Sequence, residues 1–444
     1  MKFKSLANLM VAVALTAATS ASAGSWSTQA TLASSAYEGT IGLDASGNMT
    51  SVWYQYNAPN GSAIDEIWAS SAAFGQAWSA PVDVSGNIGT AAANASVRVS
   101  AAGNATAVYT NPTLGTVYND KPAGGSWGTT HATNGVNGFY VSNDSGVEGM
   151  AWGTGGARPT SSTVVAQVRP AGGSWSTPAT LAAQPHLAFD GATVAPDGTM
   201  AVAWESFNST CGERVCKTSN WVLHVSTLAP GSQTWVDSGG LLGPDITQHF
   251  GQLAGDSMAD LGLIALQAGN VVSKVRHGSA WSSTVIVVSD SGFQFYTGTG
   301  RDNRIYFSDT AGHATLVGWG DIHLETLAAI DGNLTTNTWG SPTTISGSDQ
   351  FPGYFDFAMS SSGAAIAFYP LLNFDGAGNT EWRAATRAGA GKSWNAPATT
   401  GKSFEGSGTP DGIAVDSAGQ AAVLFHGYSS DYLTNILYTN TYKP

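Results

Sequence analysis

The 444-residue chain is poor in charged side chains and in cysteine. Asp, Glu, Lys and Arg supply 11% of its residues, against about a quarter in an average globular protein. Acidic residues outnumber basic ones and leave a formal net charge of -13. This charge argues against nucleic acid and anionic membrane surfaces as partners, because like charges repel. The 42% of hydrophobic residues is enough for a packed core, so the low charge does not indicate disorder.

The chain has two cysteines, Cys211 and Cys216. They lie close together within one inserted segment, and a secreted protein meets an oxidising environment. We therefore predict a local disulfide between them. A metal-binding pair is the alternative, but no further ligand lies nearby in the sequence, and no metal site is predicted.

Long apolar runs are absent except near the start. Lys2 and Lys4 precede an apolar stretch from Leu6 to Ala18, and Ala21-Ser22-Ala23 follows it. This order is typical of a secretory signal peptide, and the stretch is shorter than the roughly 20 residues of a membrane span. We predict a signal peptide over residues 1–23, a secreted or periplasmic protein, and no membrane insertion after cleavage.

A repeat built around tryptophan covers the rest of the chain. A Trp preceded by Ser, Ala or Thr recurs at intervals of 46 to 60 residues. The eight copies are Trp26, Trp78, Trp127, Trp175, Trp235, Trp281, Trp339 and Trp394. A period near 50 residues is typical of the blades of a β-propeller.

A second mark recurs in phase with the first, since a turn glycine is followed six residues later by an aromatic residue. The pairs are Gly47 and Trp53, Gly103 and Tyr109, Gly146 and Trp152, Gly198 and Trp204, Gly363 and Tyr369, and Gly419 and Phe425. Gly312 and Trp319 are one residue further apart, and the fifth unit has Asp260 and Leu266 in the matching places.

The turn signals predict two hairpins in each repeat. In the segment Val194–Trp204, β-rich residues flank Asp197-Gly198, a strong hairpin signal because Gly adopts the positive φ of tight turns. A second, Gly-rich turn precedes each repeat Trp. We predict one all-β domain over residues 24–444, an eight-bladed β-propeller, with seven blades if the fifth unit is irregular. Pairing of the strand at Trp26 with the last strand, Ile436–Tyr442, would close the ring and remove exposed edges.

With these repeats the chain resembles the secreted bacterial β-propellers, a group that includes lectins and glycan-active enzymes. The resemblance is one of architecture and covers the whole of residues 24–444. The Asp-Gly turns are loosely similar to the Asp-box of sialidases, but there Trp follows Gly sooner than the six residues found at Trp53, Trp152 and Trp204. No sialidase site is transferred to this sequence.

Propellers commonly bind ligands around the central channel, on the face that carries the loops entering the innermost strands and the loops leaving the second strands, and we predict the ligand site at this central-channel face. Counting back from the repeat glycine predicts the first set: Glu38, Asn94, Asn137, Asp190, Asp356 and Asp411. The residue after the repeat aromatic, with its neighbours, predicts the second set: Tyr54, Glu205, His426, Asp321 and His323. His249 lies in the entry loop of the fifth unit.

Carboxylates, amides and imidazoles at one opening suit a glycan or another surface ligand, and their oxygens suit calcium. We therefore predict a glycan-binding or surface-binding protein. No cofactor is evident from the sequence, and calcium is the ion that such oxygens could hold. A polysaccharide-active hydrolase or lyase is the alternative, in which Asp190 with Glu205, or Asp411 with His426, act as acid and base. A structural or assembly protein of the cell envelope is the third reading. For any single acidic residue, simple turn chemistry is the competing explanation.

Overall fold

A computed structural model of the protein describes residues 24–56, 65–86, 92–133, 138–154, 162–211, 216–243, 246–289, 305–321, 326–347, 354–372, 379–404, 410–429 and 434–444. Regular structure in these residues consists of 35 strands and no helix. Paired strands run antiparallel, as hairpin connections require. The all-β prediction is confirmed.

The described chain begins with β1 (Ser25–Trp26) and β2 (Ala30–Ser34) and continues into four sheets of four strands, which we number as units 1 to 4. Unit 1 is β3 (Ala36–Leu43), β4 (Met49–Gln55), β5 (Glu66–Ala72) and β6 (Val82–Asp83). Unit 2 is β7 (Ala93–Val99), β8 (Ala105–Asn111), β9 (Gly115–Lys121) and β10 (His131–Ala132). Unit 3 is β11 (Phe139–Ser142), β12 (Glu148–Thr154), β13 (Ser162–Arg169) and β14 (Ala179–Gln184). Unit 4 is β15 (Leu187–Val194), β16 (Met200–Cys211), β17 (Cys216–Leu228) and β18 (Val236–Asp237).

Units 5 and 6 have the same order with the outermost strand split in two. Unit 5 is β19 (Ile246–Gly255), β20 (Leu261–Gln267), β21 (Asn270–His277), β22 (Ala280–Trp281) and β23 (Val285–Val288). Unit 6 is β24 (Tyr306–Ser308), β25 (His313–Asp321), β26 (Thr326–Asn333), β27 (Thr338–Trp339) and β28 (Thr343–Thr344).

The remaining strands form two units joined by one pairing, Phe404 with Tyr428. Unit 7 is β29 (Asp356–Met359), β30 (Ala365–Leu372), β31 (Asn379–Arg387) and β32 (Ala398–Phe404). Unit 8 is β33 (Gly412–Val415), β34 (Ala421–Tyr428) and β35 (Asn435–Lys443). Both β1 and β2 pair with β35, with Trp26 opposite Tyr442 and Ser34 opposite Ile436. The first and last strands of the described chain therefore lie in one sheet.

The turn between the first two strands of a unit has a repeated geometry. In unit 1, Asp44 Oδ1 accepts the backbone N–H groups of Ser46 and Asn48 at 2.8 Å each, and Gly47 has a φ of 78°. The equivalent glycines, Gly103, Gly146, Gly198, Gly312, Gly363 and Gly419, have φ between 78° and 92°. The recurrent Gly is therefore turn chemistry, because left-handed φ favours glycine.

The fifth unit keeps this turn without glycine. Asp256 Oδ1 accepts the backbone N–H groups of Met258 and Asp260, and Ala259 takes the left-handed position with a φ of 65°. The prediction that Asp260 takes the place of the repeat glycine is therefore wrong by one residue, since Ala259 occupies that place. The unit is irregular in sequence but not in the architecture of its turn.

Successive units pack face to face through their apolar sides. The innermost strands contact in the order β3, β7, β11, β15, β19, β24, β29 and β33, and β33 contacts β3 again. Leu424 and Leu437 of unit 8 share a core cluster with Met49 and Trp53 of unit 1. Small antiparallel sheets stacked radially on their neighbours are the architecture of a β-propeller, and this coarse prediction is confirmed.

The eight repeat tryptophans pack on these cores. Each is half-buried and contacts the edge of a buried apolar cluster. Trp26, for example, lies 5.2 Å between ring centroids from Tyr442 of the strand it pairs with. The repeat Trp residues are therefore packing residues, as the repeat predicts.

Two arginines clamp neighbouring units in equivalent ways. Arg169 of unit 3 donates to Asp120 of unit 2 at 2.9 Å, and Thr106 also donates to that carboxylate. Arg387 of unit 7 donates to Asp331 and to Thr315 of unit 6 at 2.5 and 2.7 Å. Each arginine therefore joins two neighbouring units by hydrogen bonds. The hairpin repeat does not predict these contacts, because they lie between units.

Candidate functional site

Those predicted residues that the structure describes lie at one end of their units, which we call the entry face. There the innermost strand of a unit begins and the second strand ends, because the two are antiparallel. In unit 1, for example, Ala36 at the start of β3 is opposite Gln55 at the end of β4. The opposite end, with the repeat glycines, is the turn face.

Several innermost strands begin in a strained backbone conformation. Glu38 and Asn94 have φ of 56° and 54° and sit in β-bulges on β3 and β7. Ser35 and His186, which precede β3 and β15, have φ of 56° and 64°. Left-handed φ is unfavourable for residues other than glycine and is commonly retained at binding sites. The bulges re-aim the side chains of the entry face.

A cavity of about 400 Å³ opens between units 2 and 3 on this face. Asn94, Ser96 and Thr110 supply polar groups to its lining, while aromatic side chains come from units 2, 3 and 4. The aromatic residues are Tyr109, Phe139, Tyr140, Trp152 and Phe189. A concave aromatic lining with a few polar groups is the usual composition of a small-ligand site.

The cavity holds no ionised group from these side chains. Tyr109 donates to or accepts from Thr130 at 2.6 Å, and burial raises the pKa of its phenol to about 12. Burial also raises the pKa of Tyr140 well above its ordinary value, so both phenols are neutral at physiological pH. Ser96 Oγ is buried and has no hydrogen-bond partner among the described residues. The lining therefore favours a neutral ligand that offers hydrogen-bonding groups.

Asp411 and His426 form a pair at the entry face of unit 8. Asp411 Oδ2 lies 2.7 Å from His426 Nδ1, and the imidazole side chain keeps 14% of its surface exposed. Burial lowers the pKa of His426. The charge of Asp411, its hydrogen bond to the imidazole and the charge of Glu38 raise the pKa by more than burial lowers it, so the net shift is upward. The pair is a histidine oriented by a carboxylate, a common arrangement for proton transfer.

Asp190 and Glu205 occupy the matching positions in unit 4. Asp190 is the extra residue of a bulge between Phe189 and Gly191. Its carboxylate packs close to Gly251 of unit 5, since a Cβ placed on that glycine would lie 3.2 Å from Asp190 Oδ2. The residue is partly exposed as a whole, but both carboxylate oxygens are inaccessible and have no hydrogen-bond partner among the described residues. Desolvation and the charge of Glu205 raise the pKa of Asp190 well above its ordinary value.

Other predicted residues are placed less completely. Asp356 lines a second cavity, of about 500 Å³, formed along the innermost strands. Asn137 and His323 lie outside the described residues, and so do the side chains of His249 and Asp321. Cys211 and Cys216 are opposite each other in register, while their side chains are also outside the described part, so the disulfide stays a prediction.

Sequence reasoning missed most of the cavity lining. Thr110 directly follows the repeat aromatic Tyr109, so the rule that gave Glu205 and His426 also reaches it. The sequence marks Phe189 only as the aromatic residue that precedes Asp190. Ser96 and Phe139 have no mark, because their role depends on how neighbouring units pack. Within the described residues, no group of three or more His, Cys, Asp and Glu side chains is placed to hold a metal ion. No helix in that part of the chain is long and apolar enough to cross a membrane.

Comparison with known proteins identifies no family. The chain matches no protein-family model and no curated protein. Among solved structures, the BP39L lectin from Burkholderia pseudomallei has 12% identity and a TM-score of 0.48, covering 83% of this chain and 100% of the lectin. The β-propeller domain of the Trilobed protease from Pyrococcus furiosus has 8% identity and a TM-score of 0.45, covering 84% and 97%. The polysaccharide lyase Uly1 has 10% identity and a TM-score of 0.44, covering 82% and 90%.

Proposed function

We propose that the protein is an exported glycan-binding propeller whose ligand site is the cavity between units 2 and 3. The carrying observation is the combination found there, a neutral aromatic lining with Asn94, Thr110 and the Ser96 hydroxyl, which has no hydrogen-bond partner in the described part of the chain. Saccharide rings present apolar C–H faces and many hydroxyls, and this lining complements both. The net charge of -13 also favours a neutral glycan over a phosphorylated or sulfated one.

The architecture we propose for this function is an eight-bladed ring. Contacts among the innermost strands return from β33 to β3, and β1 and β2 complete unit 8 through β35. Residues 1–23 are proposed to direct export to the periplasm or the exterior, where a disulfide between Cys211 and Cys216 would form. Calcium at the entry face stays a prediction.

The test is a glycan array followed by affinity measurement. Asn94→Gly removes the amide and tolerates the positive φ, so we expect about tenfold weaker binding from the lost hydrogen bonds. Phe139→Ala removes one aromatic wall and should weaken binding more. Phe74→Ala, a half-buried phenylalanine on the turn face of unit 1, is the matched control. Unchanged binding in both cavity variants would refute this site.

A second function, polysaccharide cleavage, is supported by the Asp411–His426 pair. A histidine oriented through Nδ1 by a carboxylate can exchange a proton with substrate at Nε2. The groups that raise its pKa are the carboxylates of Asp411 and Glu38, which repel acidic sugars and favour hydrolysis of a neutral chain over elimination from a uronate. Release of reducing ends by the wild type, abolished in His426→Ala, would establish this activity. Absence of products from neutral polysaccharides would leave binding as the function.

A further inference from the structure

The two middle strands of unit 4 extend past the rest of their sheet at the entry face. β16 and β17 contain 12 and 13 residues, whereas their counterparts β8 and β9 in unit 2 contain seven each. Their pairing continues from Trp204 opposite His224 to Cys211 opposite Cys216. The second strand runs toward the entry face, so this hairpin rises from the same face as the cavity. We call its outer part, Ser206–Cys211 with Cys216–Val222, the arm.

Aromatic rings line the base of the arm. Phe207 and Trp221 stack with their ring centroids 3.9 Å apart and an interplanar angle of 26°. His186 adds a third ring, 5.6 Å from Phe207. All three residues are half-buried, so the stack retains exposed aromatic surface.

The backbone holds this stack in place. A register shift between Ser206 and Asn208 sets two residues of β17, Asn220 and Trp221, opposite the single residue Phe207, and a β-bulge of this kind re-aims the side chains beside it. The backbone N–H of Phe207 donates to the carbonyl of His186 at 3.0 Å. His186 has a φ of 64°, a conformation that a residue other than glycine adopts only when its surroundings impose it. The left-handed backbone of His186 therefore occurs where its carbonyl holds Phe207 and its ring contacts the ring of Phe207.

The stack is continuous with the cavity along β15. His186 is three residues before Phe189, a separation of roughly 10 Å in extended chain. Phe189 lines the cavity and lies 5.8 Å between centroids from Phe139. Aromatic rings thus run from the cavity wall to the arm, and Asp190 with Glu205 lies next to this path in the same unit.

We propose that the stack His186–Phe207–Trp221 is an additional binding site for saccharide rings, which extends the cavity into a groove for an oligosaccharide chain. The proposal rests on the glycan-binding function above and adds the length of the ligand to it. An aromatic face stacks on the C–H face of a sugar ring without requiring charge, which agrees with the uncharged lining of the cavity. Successive rings along a path select chains over single sugars, because each bound unit adds contact area.

The experiment measures affinity against chain length by calorimetry. Probes are cello-, xylo- and manno-oligosaccharides from the disaccharide to the hexasaccharide. In the wild type, affinity should rise with length. Trp221→Ala should weaken hexasaccharide binding about tenfold and leave disaccharide binding unchanged, while Trp221→Phe should keep part of the length dependence. Trp339→Ala, at a half-buried repeat tryptophan of unit 6, is the matched control. Its affinity should rise with chain length as in the wild type.

The outcomes separate this inference from the function on which it rests. If Trp221→Ala retains the full length dependence, or weakens the disaccharide as much as the hexasaccharide, the arm is not a separate binding site. If the disaccharide binds and Asn94→Gly weakens it, the cavity stands whatever the arm does. A wild type that binds none of the three series would refute the glycan-binding function and the arm with it. Thermal unfolding of each variant identifies loss of fold.

Discussion

Units 4 and 8 place ionisable pairs at the same two positions, yet the chemistry of the pairs is opposite. Asp190 and Asp411 both lie eight residues before the repeat glycine, and Glu205 and His426 both follow the repeat aromatic. In unit 8 the second residue complements the carboxylate, and the two groups hydrogen-bond at 2.7 Å. In unit 4 it is a second acid, and Asp190 has no hydrogen-bond partner among the described residues.

The difference shows that one architectural position supports two electrostatic outcomes. Both pairs favour the protonated state, since the pKa of Asp190 and the pKa of His426 are raised. In unit 8 the raised pKa reflects a stabilising attraction, whereas in unit 4 it reflects the cost of burying a second negative charge. Substitutions that exchange the two patterns should therefore change stability in opposite directions.

The largest effect is expected from His426→Glu, which gives unit 8 the pattern of unit 4. The variant loses the attraction to Asp411 and places another acid beside Asp411 and Glu38. At pH 8 we expect a loss of about 3 kcal/mol in the free energy of unfolding, measured by urea denaturation. Near pH 4, where carboxyl groups become protonated, the loss should shrink. A loss that does not depend on pH would point to poor packing of the new side chain instead.

A smaller effect is expected from Asp411→Asn, which keeps the shape of the pair and removes its charge. Because the folded pKa of His426 is raised, its stabilisation is fully present below the unfolded pKa of about 6.5 and disappears as pH rises through the folded value. The variant should lose about 1.5 kcal/mol at pH 5.5 and little at pH 9. Nuclear magnetic resonance titration of His426 checks the cause, and an unshifted imidazole pKa in the variant would contradict it.

The smallest effect, of opposite sign, is expected from Asp190→Asn, which removes one of the two acids of unit 4. Because the folded pKa of Asp190 is raised, the native state binds the extra proton, and wild-type stability falls as pH rises from about 4 through that pKa. The variant should gain about 1 kcal/mol at pH 8 and nothing near pH 4. Asp256→Ala is the control, since it removes the oxygen that accepts two backbone N–H groups and should lose stability. Loss of stability in Asp190→Asn at pH 8 would contradict the prediction, because it would mean that a positive group stabilises the Asp190 carboxylate.

The candidate site was predictable from sequence only where a residue follows a repeat mark. Asp411 and His426 were found by counting from Gly419 and Phe425, because the spacing within a hairpin fixes which residues reach the entry face. Phe139 and Trp221 were not found, because they meet their partners through packing between units or at a bulge. A bulge of one residue leaves no spacing signal in a single sequence.

The sequence alone determined the repeat, the hairpins and the end of each unit that carries polar groups, because turns and strand alternation are local and act over a few residues. Only the tertiary structure decided which acids meet a partner, where the arginine clamps cross between units and where a cavity opens. Those features require residues from separate units to come together, as Asn94 does with Phe189. Radial packing of the sheets sets these distances, and no local spacing encodes them.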